Sequence, residues 1–355
     1  MVDIVDIARS RVRAHRVETG DQPTAEAAVG SMLAMQAQDY RGGLWSVGLR
    51  SSGLTETDVE KALEAREIVR TWPMRGTLHL VAASDARWLP ELLGPRASQS
   101  AAGRRRGLGL DEDAVRRTRA ALEARLSGGL CLGRPELFAL MDAAGVDSGD
   151  QRGPHMLRYL AEQGVLCFGP HAGKQPTYAL LSEWVPDARV LDRDEALAEL
   201  ALRYFSSHGP VTLDDFAGWA FLTKGDARAG LAAVEDQLQS VDVDGVTYWH
   251  AGADIAPTGV HLLPGFDEYV LGYKNRSAFS TPEIMTAVVP GGNGMFKASV
   301  LFDGQIVGLW TVKKFAKRHE ARVEWFAGRA RPSTGELDQA VQCYARFTQV
   351  ETALG

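Results

Sequence analysis

The sequence predicts an α+β chain: three successive helix-helix-helix-ribbon units, then an antiparallel, β-barrel-like unit, then a closing helix. Three observations carry this reading. Helix signals followed by a pair of short strands recur from the N-terminus to about residue 250, strands with turn residues between them dominate from 256 to 332, and a helical spacing of apolar residues returns after Thr334. The expected boundaries are 1–110, 111–187, 188–254 and 255–355.

In the first unit Ile4 to His15 is a short helix. Thr24 is the N-cap of the next, Val29, Met32 and Leu33 give it a core-facing stripe, and Gly42-Gly43 is expected to end it. Thr55-Glu-Thr-Asp58 opens a helix from Val59 to Arg66. Val69 to Ala82 alternates into strands, with Pro73 and Gly76 confining the first to an edge or turn. Helices followed by a two-stranded ribbon is the winged-helix order. Arg104, Arg105 and Arg106, after Gly103, are expected in a loop, either on DNA or simply solvated.

The second unit repeats the plan. Helices run from Asp113 to Leu126, Pro135 to Ala143 and Pro154 to Gln163, and Val165–Phe168 and Thr177–Leu180 are strands around a Gly169–Pro176 wing. Arg152, His155 and Arg158 share one face of the third helix, as on a helix offered to DNA or on an ordinary soluble surface. In the third unit Arg193 to Ser207 is a helix, Thr212 caps Leu213 to Ala220, Asp226 opens a helix to Gln237, and a hairpin turns at Asp244-Gly245. The last unit turns at Gly291-Gly-Asn-Gly294 and Asp303-Gly304, pairs Leu309–Val312 with Arg322–Phe326, and closes with a helix from Thr334 to Leu354.

The 355 residues, 45% hydrophobic and 24% charged, are enough for two or three soluble cores. No apolar run approaches the roughly 20 residues of a membrane span. The N-terminus lacks a basic-then-apolar leader, so a cytoplasmic, nucleoid-associated protein with no membrane partner is expected. Cys131, Cys167 and Cys343 have no metal spacing, which predicts reduced, buried thiols and no metal site. A net charge of −6 argues against a polyanionic partner only on average. Residues 96–126 carry eight Arg against four acids and residues 311–332 seven Lys or Arg against two, whereas residues 192–244 carry eleven acids against four bases. Such segregation gives one face for an anion and another, including Asp214 and Asp215, for solvent.

The chemistry-bearing stretch is Ser31-Met-Leu-Ala-Met-Gln-Ala-Gln-Asp-Tyr-Arg41. If the chain leaves helical geometry near Gln36, then Gln36 and Gln38, two apart, point to one side and their amides can hold a water. The competing reading is a capped, solvated helix end. With Ile68-Val-Arg-Thr-Trp-Pro-Met-Arg-Gly-Thr-Leu-His-Leu-Val81, Leu263-Pro-Gly-Phe-Asp-Glu-Tyr269 and Phe302-Asp-Gly-Gln-Ile-Val-Gly-Leu-Trp310, the stretch resembles the tandem winged-helix DNA glycosylases of the AlkZ type. These excise bulky alkylated purines and unhook interstrand crosslinks, and their catalytic element is a Gln-apolar-Gln motif, Gln-apolar-Asp in one branch. The resemblance covers most of the chain and implies catalysis by Gln36 and Gln38 and a double-stranded DNA partner bearing alkylated purines.

A purine alkylated at N7 is already cationic and leaves readily, so the enzyme needs to position water and face an oxocarbenium-like sugar more than it needs a strong base. Glutamine carbonyls suit that task, and the adjacent carboxylate Asp39 is the alternative base. Tyr40, Arg75 and His79 are placed near the site, although a lone strand histidine is commonly a structural donor. No lysine beside Gln36 offers a Schiff base, so a monofunctional enzyme is expected. No nucleotide-fold glycine pattern, P-loop or zinc motif occurs, and no cofactor is expected. The hairpin bearing Lys313, Lys314, Lys317 and Arg318 either enters a DNA groove or guards a sheet edge. No dimerising coiled coil is evident, so a monomer is expected. A winged-helix transcriptional regulator without catalysis is the alternative function.

Overall fold

Helices begin where the sequence supplies side-chain caps. Asp3, Thr24, Asp111, Thr212 and Ser333 each accept a backbone N–H of the first turn, and Asp3, Thr212 and Ser333 do so within full capping boxes. The computed structural model describes residues 3–252, 255, 259–292, 294–316 and 318–355. Within these, runs of helices alternate with two-stranded ribbons, four helices preceding the first ribbon and not three. The ribbons are Ile68–Met74 with Thr77–Ala82, Leu166–Ala172 with Gln175–Leu180, and Gln239–Val243 with Val246–His250. The chain divides into two compact units, Met1–Glu60 with Leu197–Gly355, and Lys61–Ala196.

In the Lys61–Ala196 unit a core of Leu122, Leu126, Leu137, Met156, Leu160 and Tyr178 is buried between the helices and a three-stranded sheet. The other unit carries a curled five-stranded sheet among the described residues. Val260–Leu263, Ser299–Phe302, Gln305–Lys314 and His319–Trp325 run antiparallel, and Thr352–Leu354 joins the edge in parallel. Trp45 and Trp310 donate their indole N–H groups to the carbonyls of Leu262 and Leu263, and both rings meet Tyr344 of the C-terminal helix edge-on. Large amphipathic rings thus join helix, sheet and closing helix while satisfying the end of a strand.

Several elements depart from the expectation. Arg104 to Arg106 lie on a helix, Ala102–Gly107, because Gly103 is tolerated inside a helix that follows closely on Trp88–Ser100. The closing helix stops at Thr348, where Gln349 turns left-handed (φ 55°), freeing Thr352–Leu354 to pair with the strand. Thr223, not Asp226, is the cap of Lys224–Ala232. The wing is shorter than expected because both strands extend through it, pairing His171 with Pro176. Of the thiols only Cys167 is buried, Cys131 being half-buried and Cys343 exposed. Among the described residues no helix is long and apolar enough to cross a membrane.

Candidate active site

The helix Ala25–Met32 ends abruptly because Leu33 takes φ 70°, and the backbone is extended by Met35–Gln36. A new helix, Tyr40–Leu49, starts four residues after Gln36, with Asp39 at its N-cap position but without a side-chain cap bond. Gly42 and Gly43 therefore do not end a helix; they sit inside this one, and their role is close approach. A Cβ on Gly43 would stand 2.8 Å from the Cβ of Ala37, and one on Gly42 2.8 Å from a carboxylate oxygen of Asp39. The absence of side chains lets the motif lie directly on the helix. Ala37 is fully buried, which explains a small apolar residue between the glutamines.

The two amides differ in environment. Gln36 is only 8% exposed, whereas Gln38 and Asp39 are exposed. Among the described residues the Gln36 side chain makes no hydrogen bond, but its backbone N–H donates to Oε1 of Glu268 at 2.9 Å. Oε2 of Glu268 accepts the Trp219 indole N–H at 2.8 Å and lies 3.9 Å from His208 Nε2. A cavity of about 260 Å³ opens beside Asp39, with Arg41, Trp310, Lys314 and Tyr344 among its walls, so Asp39 and Lys314 of the basic hairpin share it.

Behind the motif lies a buried charged cluster. Arg50 forms a bidentate pair with Asp267, both N···O distances 2.9 Å, and Ser46 donates to the same carboxylate at 2.7 Å. His15 fits between Arg50 and Tyr273: the Tyr273 hydroxyl donates to the His208 carbonyl at 2.9 Å, so His15 Nε2–H donates to Tyr273 at 2.7 Å and Nδ1 faces the guanidinium at 3.4 Å. That arrangement requires a neutral ring. Burial, helped by the charges of Arg50 and Arg11, holds the His15 pKa well below its ordinary value. Asp215 is equally buried: its carboxylate accepts the Thr212 N–H to complete that residue's capping box, accepts the backbone N–H groups of Lys274 and Asn275, and faces Arg11 at 3.8 Å. It is no part of a solvent face, unlike exposed Asp214, which pairs with Lys224 and Lys274.

Arg75 and His79 belong to the Lys61–Ala196 unit. His79 is buried; its Nδ1–H donates to the Thr77 carbonyl at 2.9 Å, leaving Nε2 to accept from Arg75 at 3.2 Å. Tyr40 is the first residue of its helix and half-buried. Arg152 is paired with Asp147 and Asp150, and Arg158 with Glu162 at 2.7 Å, so protein carboxylates engage both. Arg104 donates to Gln151 at 3.2 Å, Arg105 donates to the Ser98 carbonyl and stacks on Tyr159, and Arg106 is exposed. On the hairpin, Lys313, Lys314 and Arg318 are exposed, and Lys317 lies outside the described residues. Lys313 and Arg318 flank the ring of Phe315, an exposed aromatic near the tip.

Comparison with known proteins fixes the family. The family described as DNA glycosylase AlkZ-like matches residues 29–347, nearly the whole chain. The chain belongs to the AlkZ-like DNA glycosylase family. An interstrand DNA cross-link repair glycosylase of Streptomyces sahachiroi is 30% identical over 319 residues, 85% of this chain and 86% of that one. The solved structure of the Streptomyces sahachiroi DNA glycosylase AlkZ is similar over 100% of both chains, with a TM-score of 0.85 at 25% identity. Membership makes the chain a hydrolase acting on N-glycosyl bonds of DNA and decides against a regulator without catalysis.

Sequence reasoning misreads Gly43 and gives no role to three other residues of this glycosylase that support the motif or the hairpin: Asp267, Glu268 and Phe315. A signal exists for two of them. Asp267 and Glu268 stand side by side in the apolar run Pro264-Gly-Phe-Asp-Glu-Tyr-Val-Leu271, where acids enter a core only with partners.

Proposed function

We propose that this glycosylase hydrolyses the N-glycosidic bond of cationic, N7-alkylated purines in double-stranded DNA, bulky adducts and interstrand crosslinks included, using water positioned by Gln36 and Gln38. The observation that carries the reading is the segment Gln36-Ala37-Gln38 itself, which leaves helical geometry with an extended Met35–Gln36, is seated on Gly43 and is anchored by Glu268. Its side-chain carbonyls supply no strong base, only oriented lone pairs and partial negative charge facing the sugar. That is sufficient when the leaving base is already cationic. Asp39 is the competing base, and Tyr40, next in sequence, borders the reacting sugar. The cross-link repair named for the Streptomyces sahachiroi relative supports bulky substrates, in general repair or in self-resistance to a genotoxin.

In this reading the protein works as a cytoplasmic monomer on the nucleoid, and 1–110, 111–187 and 188–254 are winged helices, the acidic third serving as scaffold, followed by the β-barrel-like unit 255–355. Base release from duplexes carrying N7-methylguanine, a bulky N7 adduct or an N7–N7 crosslink tests it. The bulky and crosslinked substrates should be processed; no release from any of the three would overturn the substrate class.

The DNA path runs along the hairpin that shares the cavity beside Asp39, through Lys313, Lys314, Lys317 and Arg318. Arg104, Arg105 and Arg106 are the alternative DNA contact, and Arg152 and Arg158 are weaker candidates because carboxylates already engage them. Phosphate contacts need charge more than base reading. Neutralising the four hairpin cations together should weaken binding and flatten its salt dependence by about 0.9 in log–log slope for each phosphate that is no longer neutralised. An unchanged slope moves the path to Arg104–Arg106.

A further inference from the structure

The geometry points to Glu268 as a positioning residue for hydrolysis, acting through the backbone of Gln36; this rests on the reading of Gln36 and Gln38 as the water-holding pair. Between the end of the Ala25–Met32 helix and the start of the Tyr40–Leu49 helix, no run of helical hydrogen bonds holds the chain. Two contacts bear directly on the motif. On one side Ala37 is seated on Gly43, and on the other the Gln36 N–H is taken by a carboxylate 232 residues away in sequence.

That carboxylate is itself immobilised. Glu268 has no exposed surface, its second oxygen holds Trp219, and it opens a short helix whose N-cap, Asp267, is locked on Arg50. A buried carboxylate is tolerated only when its oxygens are hydrogen-bonded, and here one oxygen is held by Trp219 and the other by the Gln36 N–H, so the reach of the Glu268 side chain sets the place of the Gln36 backbone. The amide of Gln36 is then free to meet water and sugar, while its main chain is fixed to within a hydrogen-bond length. Small displacements of a positioning group lower rates steeply, because the bound geometry must already resemble the attacking one.

The test compares single-turnover excision and duplex affinity for three variants whose folded state is checked by circular dichroism and melting. Glu268→Asp keeps the charge but withdraws the oxygens by one methylene. Glu268→Gln together with Trp219→Phe keeps an acceptor at full length and removes the donor that an amide NH2 would oppose; Trp219→Phe alone is its control. The expected result is a fall of about 10- to 100-fold in the excision rate for Glu268→Asp with affinity nearly unchanged, and a rate for the double variant within about threefold of Trp219→Phe. A merely structural glutamate would lower the melting temperature without this split. Glu268→Asp excising at the parent rate, or losing affinity in proportion to rate, overturns the proposal, as does a double variant slower than Glu268→Asp, which would make charge the operative property. Gln36→Ala, measured beside them, separates the two levels: if it is slow and Glu268→Asp is not, the tether fails alone, and if it excises at the parent rate the glutamine reading fails with it.

Discussion

Single-turnover excision should fall by about 10- to 1000-fold when Gln36 or Gln38 is replaced by Ala, the range for removing one positioning or electrostatic interaction, with duplex affinity little changed. At the upper end this is about 4 kcal/mol of transition-state stabilisation. The two positions differ in a useful way. Gln38 is exposed, so its truncation removes an amide with almost no folding consequence, whereas Gln36 is nearly enclosed and its variant needs a melting curve beside the rate. Asp39→Asn is the discriminating control, since an amide of the same size keeps the local geometry but cannot take a proton. A larger loss for Asp39→Asn than for either glutamine variant would assign the base to the carboxylate; parental rates in both alanine variants would make the motif structural.

The parts of this site that are legible in the sequence are those that depend on near neighbours. Thr24 and Thr212 mark helix starts because a cap and its N–H donors lie within three residues of one another. Asp303-Gly304 marks a hairpin because both residues tolerate a left-handed backbone, φ 52° and 75°. The turn out of helical geometry before Gln36 is foreseeable as a possibility, but its location at Leu33 is not, since leucine rarely adopts φ 70° and only tertiary packing imposes it. Gly42-Gly43 misleads for a related reason: glycine as a helix stop and glycine as a place for another backbone to approach are identical in sequence.

What stays hidden depends on distant partners. Arg11, Arg50, Asp215, Asp267 and Glu268 are all buried, yet in sequence each is a charge of the kind normally found on a surface. Arg50 and Asp267 are 217 residues apart and Gln36 and Glu268 are 232 apart, so no local periodicity can pair them. Segregation of net charge over long segments likewise overlooks that Asp215 and Asp214, adjacent in the chain, face a core and the solvent respectively.

The Arg50–Asp267 pair carries the largest expected stability effect. Removing one partner leaves the other charged, desolvated and without compensation, so Asp267→Ala should cost about 3–5 kcal/mol, a large fraction of the roughly 5–15 kcal/mol typical of a folded domain. The loss is greater than that of one ion pair, because the same carboxylate accepts from Ser46 and from the Tyr269 backbone N–H that starts the helix bearing Glu268. Arg50 would also lose the partner that orients it toward the neutral His15 ring. Urea unfolding of the parent, Asp267→Ala, Arg50→Met and the double variant measures this. The double variant should be more stable than the sum of the single losses predicts, since apolar groups can replace a buried pair at little cost whereas a lone charge cannot be accommodated. Additive losses would show that the two groups are stabilised independently. Excision by the folded fraction of the same proteins should also fall for Asp267→Ala, though less than for Glu268→Asp, because Asp267 reaches Gln36 only by holding the helix on which Glu268 stands.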